Sequence, residues 1–101
     1  MSERVQVVVP GDDPVQIAGS PHLERLRVHG QVVIYDTTPA DSAEKIERVR
    51  DAQVIINSRG VVTWREELRS LPNLRMITTC SIGTDMIDLE LAKELGIVVS
   101  N

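Results

Sequence analysis

The chain predicts an α/β fold in which helices cover a five-stranded parallel sheet, and three observations lead there. Five short β-branched runs recur along its 101 residues, helical patterns separate them, and each run is nearly continuous in Val and Ile. Runs that do not alternate apolar with polar residues belong to strands covered on both faces, the hallmark of parallel sheets flanked by helices.

The first run, Val5 to Val9, follows the polar start Met1-Ser2-Glu3-Arg4 and ends at Pro10-Gly11. A helix is expected over Pro21 to His29, with Leu23, Leu26 and Val28 loosely on one side and Gly30 ending it. Gln31 to Tyr35 is the second strand. Asp41 and Ser42 then offer a capping signal for a helix to Asp51, with Ala43, Ile46, Val49 and Arg50 at helical spacing. The third strand is Gln53 to Ile56. Thr63-Trp64-Arg65-Glu66 has the form of a capping box, Thr63 at the N-cap and Glu66 three residues on, leading a helix through Leu68 that Pro72 breaks. Leu74 to Thr78 is the fourth strand. A helix over Asp88 to Leu95, with Leu89, Ala92 and Leu95 on one face and Gly96 as its stop, leads to the last strand, Ile97 to Val99.

Strands alternating with helices connect by right-handed crossovers. The expected arrangement is therefore a flavodoxin-like three-layer sandwich with strand order 2-1-3-4-5. In such sheets ligands bind outside the carboxyl ends of the strands. The loops that converge there are Pro10 to Pro14, Asn57 to Val61 and Thr79 to Asp85.

Bulk properties exclude several classes. A net charge of −4 with scattered arginines leaves no basic stripe for nucleic acid. One cysteine closes no intramolecular disulfide, and no apolar run approaches the ~20 residues of a membrane span, so a reducing cytoplasm is the expected location. Phe is absent and only Trp64 and Tyr35 are aromatic, which leaves a core of Val, Ile, Leu and Met.

The loop from Cys80 to Asp85 is the leading site candidate, because Gly83 permits close backbone approach and successive N–H groups near a helix start bind anions. Composition alone equally allows a plain strand-to-helix connection capped by Asp85 or Asp88. Asn57-Ser58-Arg59-Gly60 supplies an amide, a hydroxyl and a guanidinium able to grip a carboxylate, or else forms a polar turn with an exposed arginine. Gly11-Asp12-Asp13-Pro14 resembles the Mg-binding corner of receiver domains. A receiver, however, needs an aspartate ending strand three and a lysine ending strand five, where this chain has Asn57 and Ser100-Asn101. Asp12 and Asp13 are accordingly read as turn formers on a solvated edge. His22 and His29 have no acid or cysteine at ligand spacing and are read as surface residues, and Cys80 as a small buried one. Trp64 is expected to pack over the sheet. No metal site, no P-loop, no Gly-x-Gly-x-x-Gly and no base-oriented histidine is present, so the chain alone should do no chemistry.

Three segments together resemble the D-isomer-specific 2-hydroxyacid dehydrogenases: Leu71-Pro72-Asn73-Leu74-Arg75-Met76-Ile77, Ser81 through Leu89 with its Gly-x-Asp-x-Ile-Asp turn, and Gly96 through Asn101 with its Val-x-Asn end. The resemblance covers about residues 50 to 101. It implies that residues 1–101 are the N-terminal part of the family's substrate-binding, or catalytic, domain, cut before an NAD(P)-binding Rossmann domain and a C-terminal closing segment. The catalytic arginine, glutamate and histidine would lie in those parts, so no catalytic residue is assigned here. The carboxylate of a small 2-oxo or 2-hydroxy acid would be held by backbone N–H groups at Ser81, Ile82 and Gly83. Asn101 matches the asparagine at the crossing to the nucleotide domain, the one position tied to the cofactor. An Arg-Ser pair common after strand three falls on Asn57-Ser58, so the arginine is replaced, and Arg59 is one position out of register with it.

The resulting expectation is the substrate-binding portion of an oxidoreductase acting on the CH–OH group of small D-2-hydroxy acids. The complete enzyme would use NAD or NADP, with the Rossmann domain in cis, and form a homodimer; this chain alone would bind no cofactor and be inactive. The alternative is a stand-alone flavodoxin-like carboxylate-binding or regulatory module, and a third reading is a degenerate receiver-like interaction domain. If the family's closing segment covers one face of the sheet, the isolated chain exposes apolar side chains there and self-associates.

Overall fold

Five parallel strands form one sheet in the order β2-β1-β3-β4-β5, as expected from the alternation of strand and helix patterns. The structure is a computed structural model. It describes residues 5–12, 21, 23–57, 63–79 and 87–100, apart from the side chains of Leu26 and His29. In chain order these residues give β1 (Val5–Val9), α1 (Leu23–His29), β2 (Gly30–Ile34), α2 (Ser42–Val49), β3 (Val54–Asn57), a 3-10 helix (Glu66–Ser70), β4 (Met76–Thr79), α3 (Leu89–Glu94) and β5 (Val98–Ser100).

Capping chemistry fixes the helix ends. Asp41 is the N-cap of α2, accepting from the Glu44 N–H at 2.9 Å, and the Glu44 carboxylate accepts in turn from the Ala40 N–H at 2.7 Å. Asp88 caps α3 by accepting from the Leu91 N–H at 3.0 Å. At its other end α3 closes in a Schellman turn: Gly96 takes φ +76°, Ile97 N–H donates to Ala92 O at 2.8 Å, and Gly96 N–H donates to Lys93 O at 3.1 Å. Helix α1 ends at His29, directly before Gly30 as expected, and Gly30 has a second role. It opens β2 opposite Val5, and a Cβ there would collide with the Val5 carbonyl oxygen.

The expected capping box at Thr63 does not form. The helix is a 3-10 turn whose N-cap is Arg65, without a side-chain cap bond. Trp64 instead enters the core and pairs in parallel with Ile87, which takes Thr63 and Trp64 out of any helical turn. Glu67, rather than Glu66, reaches back, accepting from the Arg65 N–H at 2.9 Å.

One apolar cluster joins Val8, Ile55 and Ile77 of the sheet to Val49 of α2, Leu68 of the 3-10 helix, and Leu91 and Ala92 of α3, with Trp64 enclosed among them. These helices therefore share a face of the sheet. Right-handed crossovers place α1, which packs on β2, on the other face. The strands reflect this. Val7, Val8 and Val9 are all buried, whereas β3 and β4 alternate half-buried with buried residues, so the expectation of burial on both faces holds for β1 and only in part for β3 and β4.

Helix faces also depart from their expected stripes. In α3, Leu91 and Ala92 are buried while Leu89 and Leu95 are exposed, because the Asp88 cap and buried Ile87 set the rotation of a helix under two turns long. In α2 the inward stripe is Lys45 and Val49, with Ala43 exposed. Lys45 is admitted because its stem and charge both find partners, described below. Val28 of α1 is 77% exposed.

Candidate functional site

Parallel register gathers the strand ends that sequence reasoning pointed to. Asn57 and Thr79, the last residues of β3 and β4, are register partners and both are buried. Along a strand alternate residues share a face, so they continue the line of Ile55 and Ile77 on the side of the main core. Ser100 ends β5, with Thr78 as the register partner in β4. A polar residue closing an otherwise apolar strand is the sequence signal by which Thr79 could have been found beside Asn57.

Asn57 is held by Trp64. The indole Nε1–H donates to Asn57 Oδ1 at 3.0 Å within the buried layer. An indole N–H only donates, so the amide oxygen must face it and the amide NH₂ is turned away as a donor. Trp64 is fixed from its other side by Lys45, whose Nζ lies 4.9 Å from the ring centroid. The same ammonium donates to Thr63 O and pairs with Glu67 Oε2 at 2.9 Å. Burial alone would push the Glu67 carboxyl up. Hydrogen bonds from Lys45, from the backbone at Arg65 and at its own residue, and from the Ser42 hydroxyl outweigh that and hold it at about 2.

The loop after β1 is clamped to the same edge. Asp12 N–H donates to Tyr35 O at 2.7 Å, and Tyr35 N–H to Val9 O at 2.9 Å. Arg48 of α2 donates to Pro10 O at 2.7 Å and Thr37 O at 2.6 Å, and its guanidinium lies 4.8 Å from the Tyr35 ring centroid. Asp12 is thereby fully buried, not the solvated turn former the sequence suggested. Asp13 lies outside the described residues, as do Ser58, Arg59, Cys80, Ser81, Ile82, Gly83, Asp85, Asn101, His22 and the side chain of His29. Of the expected ligand-binding residues the structure thus places Asn57, and it brings Trp64, Lys45 and Thr79 into its surroundings.

Three further cavities lie among the described residues. One of about 250 Å³ is lined by Gln53, Asn73 and Arg75 near the amino ends of β3 and β4, and one of about 410 Å³ lies between α2 and the 3-10 helix beside Ser42 and Glu66. A third, of about 330 Å³, adjoins Arg27 and Gln31 at the start of β2. No group of three or more His, Cys, Asp or Glu comes together among the described residues, and no helix there is long and apolar enough to cross a membrane.

Comparison with known proteins gives this sheet edge a chemical context. Residues 11–101 match the family described as D-isomer specific 2-hydroxyacid dehydrogenase, catalytic domain. The chain belongs to this family. Among 2-hydroxyacid dehydrogenase relatives it is 43% identical, over 66% of its length and 20% of the relative's, to a Haemophilus influenzae protein ascribed to the group. It is 32% identical to the hydroxypyruvate reductase of Blautia hydrogenotrophica, over 75% of this chain and 24% of that one. The chain thus spans between a fifth and a quarter of the length of these curated relatives. The NADPH-dependent glyoxylate/hydroxypyruvate reductase of Sinorhizobium meliloti, solved with NADP and malonate, superposes with a TM-score of 0.68 at 27% identity, covering 98% of this chain and 28% of that one. A phosphoglycerate oxidoreductase of Vibrio cholerae, at 21% identity and a TM-score of 0.77 over 99% of this chain and 31% of that one, shares the fold.

Dinucleotide-binding domains of the doubly wound type carry a glycine-rich turn after their first strand; the described part of the turn after β1, Pro10-Gly11-Asp12, holds one glycine and a buried aspartate.

Proposed function

We propose that residues 1–101 are the substrate-binding portion of an NAD(P)-dependent oxidoreductase that interconverts small D-2-hydroxy acids and 2-oxo acids, and that this portion is inactive alone. The observation that carries the reading is the family match over residues 11–101 on a sheet of order β2-β1-β3-β4-β5. That order brings the ends of β1, β3 and β4 to one edge, where open sheets of this kind receive ligands. Substrates of glyoxylate or hydroxypyruvate size are favoured by the names of the relatives from B. hydrogenotrophica and S. meliloti.

In this reading the backbone N–H groups at Ser81, Ile82 and Gly83 hold the substrate carboxylate, and Asn57, Ser58 and Arg59 flank it from the neighbouring strand end. Asn57, Thr79 and Ser100 carry no group that titrates near neutral pH, so the contribution of this edge is binding and orientation. Nicotinamide, when bound, supplies the hydride. Its site and the proton-transferring residues belong to a Rossmann domain and closing segment in cis, and the complete enzyme is a homodimer.

The reading frame beyond the codon for Asn101 tests this division. A frame that continues into a strand and a Gly-x-Gly-x-x-Gly turn supports it. A stop codon there would favour a carboxylate-binding module without catalysis.

A further inference from the structure

One residue, Trp64, joins the end of β3 to the start of α3. Asn57, immediately before residues 58–62, accepts the Trp64 Nε1–H at 3.0 Å. Ile87 and Asp88, immediately after residues 80–86, meet the same residue through its backbone: Trp64 pairs with Ile87, and Asp88 N–H donates to Trp64 O at 2.9 Å. Trp64 is wholly buried, and Lys45, 8% exposed, is stacked on it with its charge satisfied by Glu67 and Thr63 O. A buried charge kept against an aromatic ring is costly unless every partner is in place, so this arrangement resists rearrangement.

We infer that Trp64 is a positioning residue for substrate binding, orienting the Asn57 amide as a neutral donor at the end of β3 and tying that strand end to Ile87-Asp88 at the start of α3. The inference rests on the functional reading above. Asn57 stands where the family resemblance places an arginine, and the indole explains how an amide there is held in one orientation. An arginine could not accept from the indole N–H, because a guanidinium carries donors only. Trp64 and Asn57 thus form a matched pair, and the pair tunes this edge toward a small substrate met by an uncharged donor.

The test is steady-state kinetics on the complete enzyme with glyoxylate and hydroxypyruvate, comparing the unaltered protein with Trp64→Phe, Asn57→Leu and the double variant. Trp64→Phe keeps an aromatic ring near Lys45 and deletes the indole N–H together with part of the ring system, which the double variant controls for. The expected result is a KM for the oxo acid raised about three- to tenfold, with the KM for the nicotinamide cofactor and kcat within twofold; that range corresponds to loss of one hydrogen bond. The double variant separates positioning from mere packing. Removing both partners of a buried hydrogen bond is close to neutral for stability, so if Asn57 exists only to satisfy the indole, Trp64→Phe/Asn57→Leu recovers the unaltered KM. Positioning predicts that the double variant stays at least as impaired as Asn57→Leu alone. Recovery in the double variant, or an unchanged KM in Trp64→Phe, overturns the inference while leaving the functional reading intact. Absence of turnover by the unaltered enzyme with any small 2-oxo acid overturns the functional reading itself, and this inference with it.

Discussion

Replacing Glu67 by glutamine removes the charge that faces Lys45 while keeping the shape of the side chain. The carboxylate is 2.9 Å from Lys45 Nζ, and the two side chains are 12% and 10% exposed, so little solvent screens them. A carboxyl held at about 2 instead of 4.5 favours the folded state by about 3 kcal/mol at neutral pH, at ~1.4 kcal/mol per tenfold change in acidity. Because the folded value lies below the unfolded one, this stabilisation is complete above about pH 4.5 and drains away as the pH falls toward 2. Loss of about 3 kcal/mol is a large share of the ~5–15 kcal/mol that holds a domain together. It lowers the melting temperature of a chain this size by ~10–20 °C. Trp64 is the only tryptophan and is fully buried, so its emission follows unfolding directly. Urea titrations at pH 7 and pH 3 should show Glu67→Gln less stable at pH 7, with the gap to the unaltered chain narrowing at pH 3. Equal midpoints at pH 7, or a gap that stays constant down to pH 3, would refute the reasoning.

The two glycines with assigned roles should respond differently to alanine. At Gly96 the added Cβ meets nothing within 4 Å, so only the φ of +76° is strained and about 1–2 kcal/mol is lost. At Gly30 the Cβ strikes the Val5 carbonyl and must spread β1 from β2, so denaturant unfolding should show the larger loss there, above ~2 kcal/mol. Asp88→Ala removes the α3 cap and should cost about 1 kcal/mol by the same assay, whereas Asp88→Asn should recover most of it. Val54, Met76 and Val98 form one register row across β3, β4 and β5, on the face away from the main core, with Val98 59% exposed. The isolated chain should therefore self-associate at high concentration in sedimentation experiments, and Val98→Lys should return it to a monomer.

Element order and strand order were legible because continuous Val and Ile runs, separated by helical patterns and stopped by Gly and Asp, admit few topologies. The caps at Asp41 and Asp88 and the stop at Gly96 follow from local chemistry that a sequence displays. The helix faces were less legible. Lys45 lies inside only because Trp64, Glu67 and Thr63 are brought to it from another segment, and no local pattern announces such a partnership. For the same reason Thr63-Trp64-Arg65-Glu66 read as a capping box: a tertiary pairing with Ile87 overrode a local preference. Asp12 likewise reads as a turn former until Tyr35 and Arg48 are seen closing over its loop. At the site, Asn57 was singled out for its chemistry and its place at a strand end. Its pairing with Trp64, seven residues away, depends on how the intervening segment returns to the sheet.

The most direct measurement is oxidation of NADH and NADPH in the presence of glyoxylate or hydroxypyruvate, followed for the protein encoded by the complete reading frame and for residues 1–101 alone. Turnover by the former and none by the latter is the expected result. Turnover by residues 1–101 alone would contradict the division of labour, and its absence from the complete protein with every small 2-oxo acid would contradict the assignment of function.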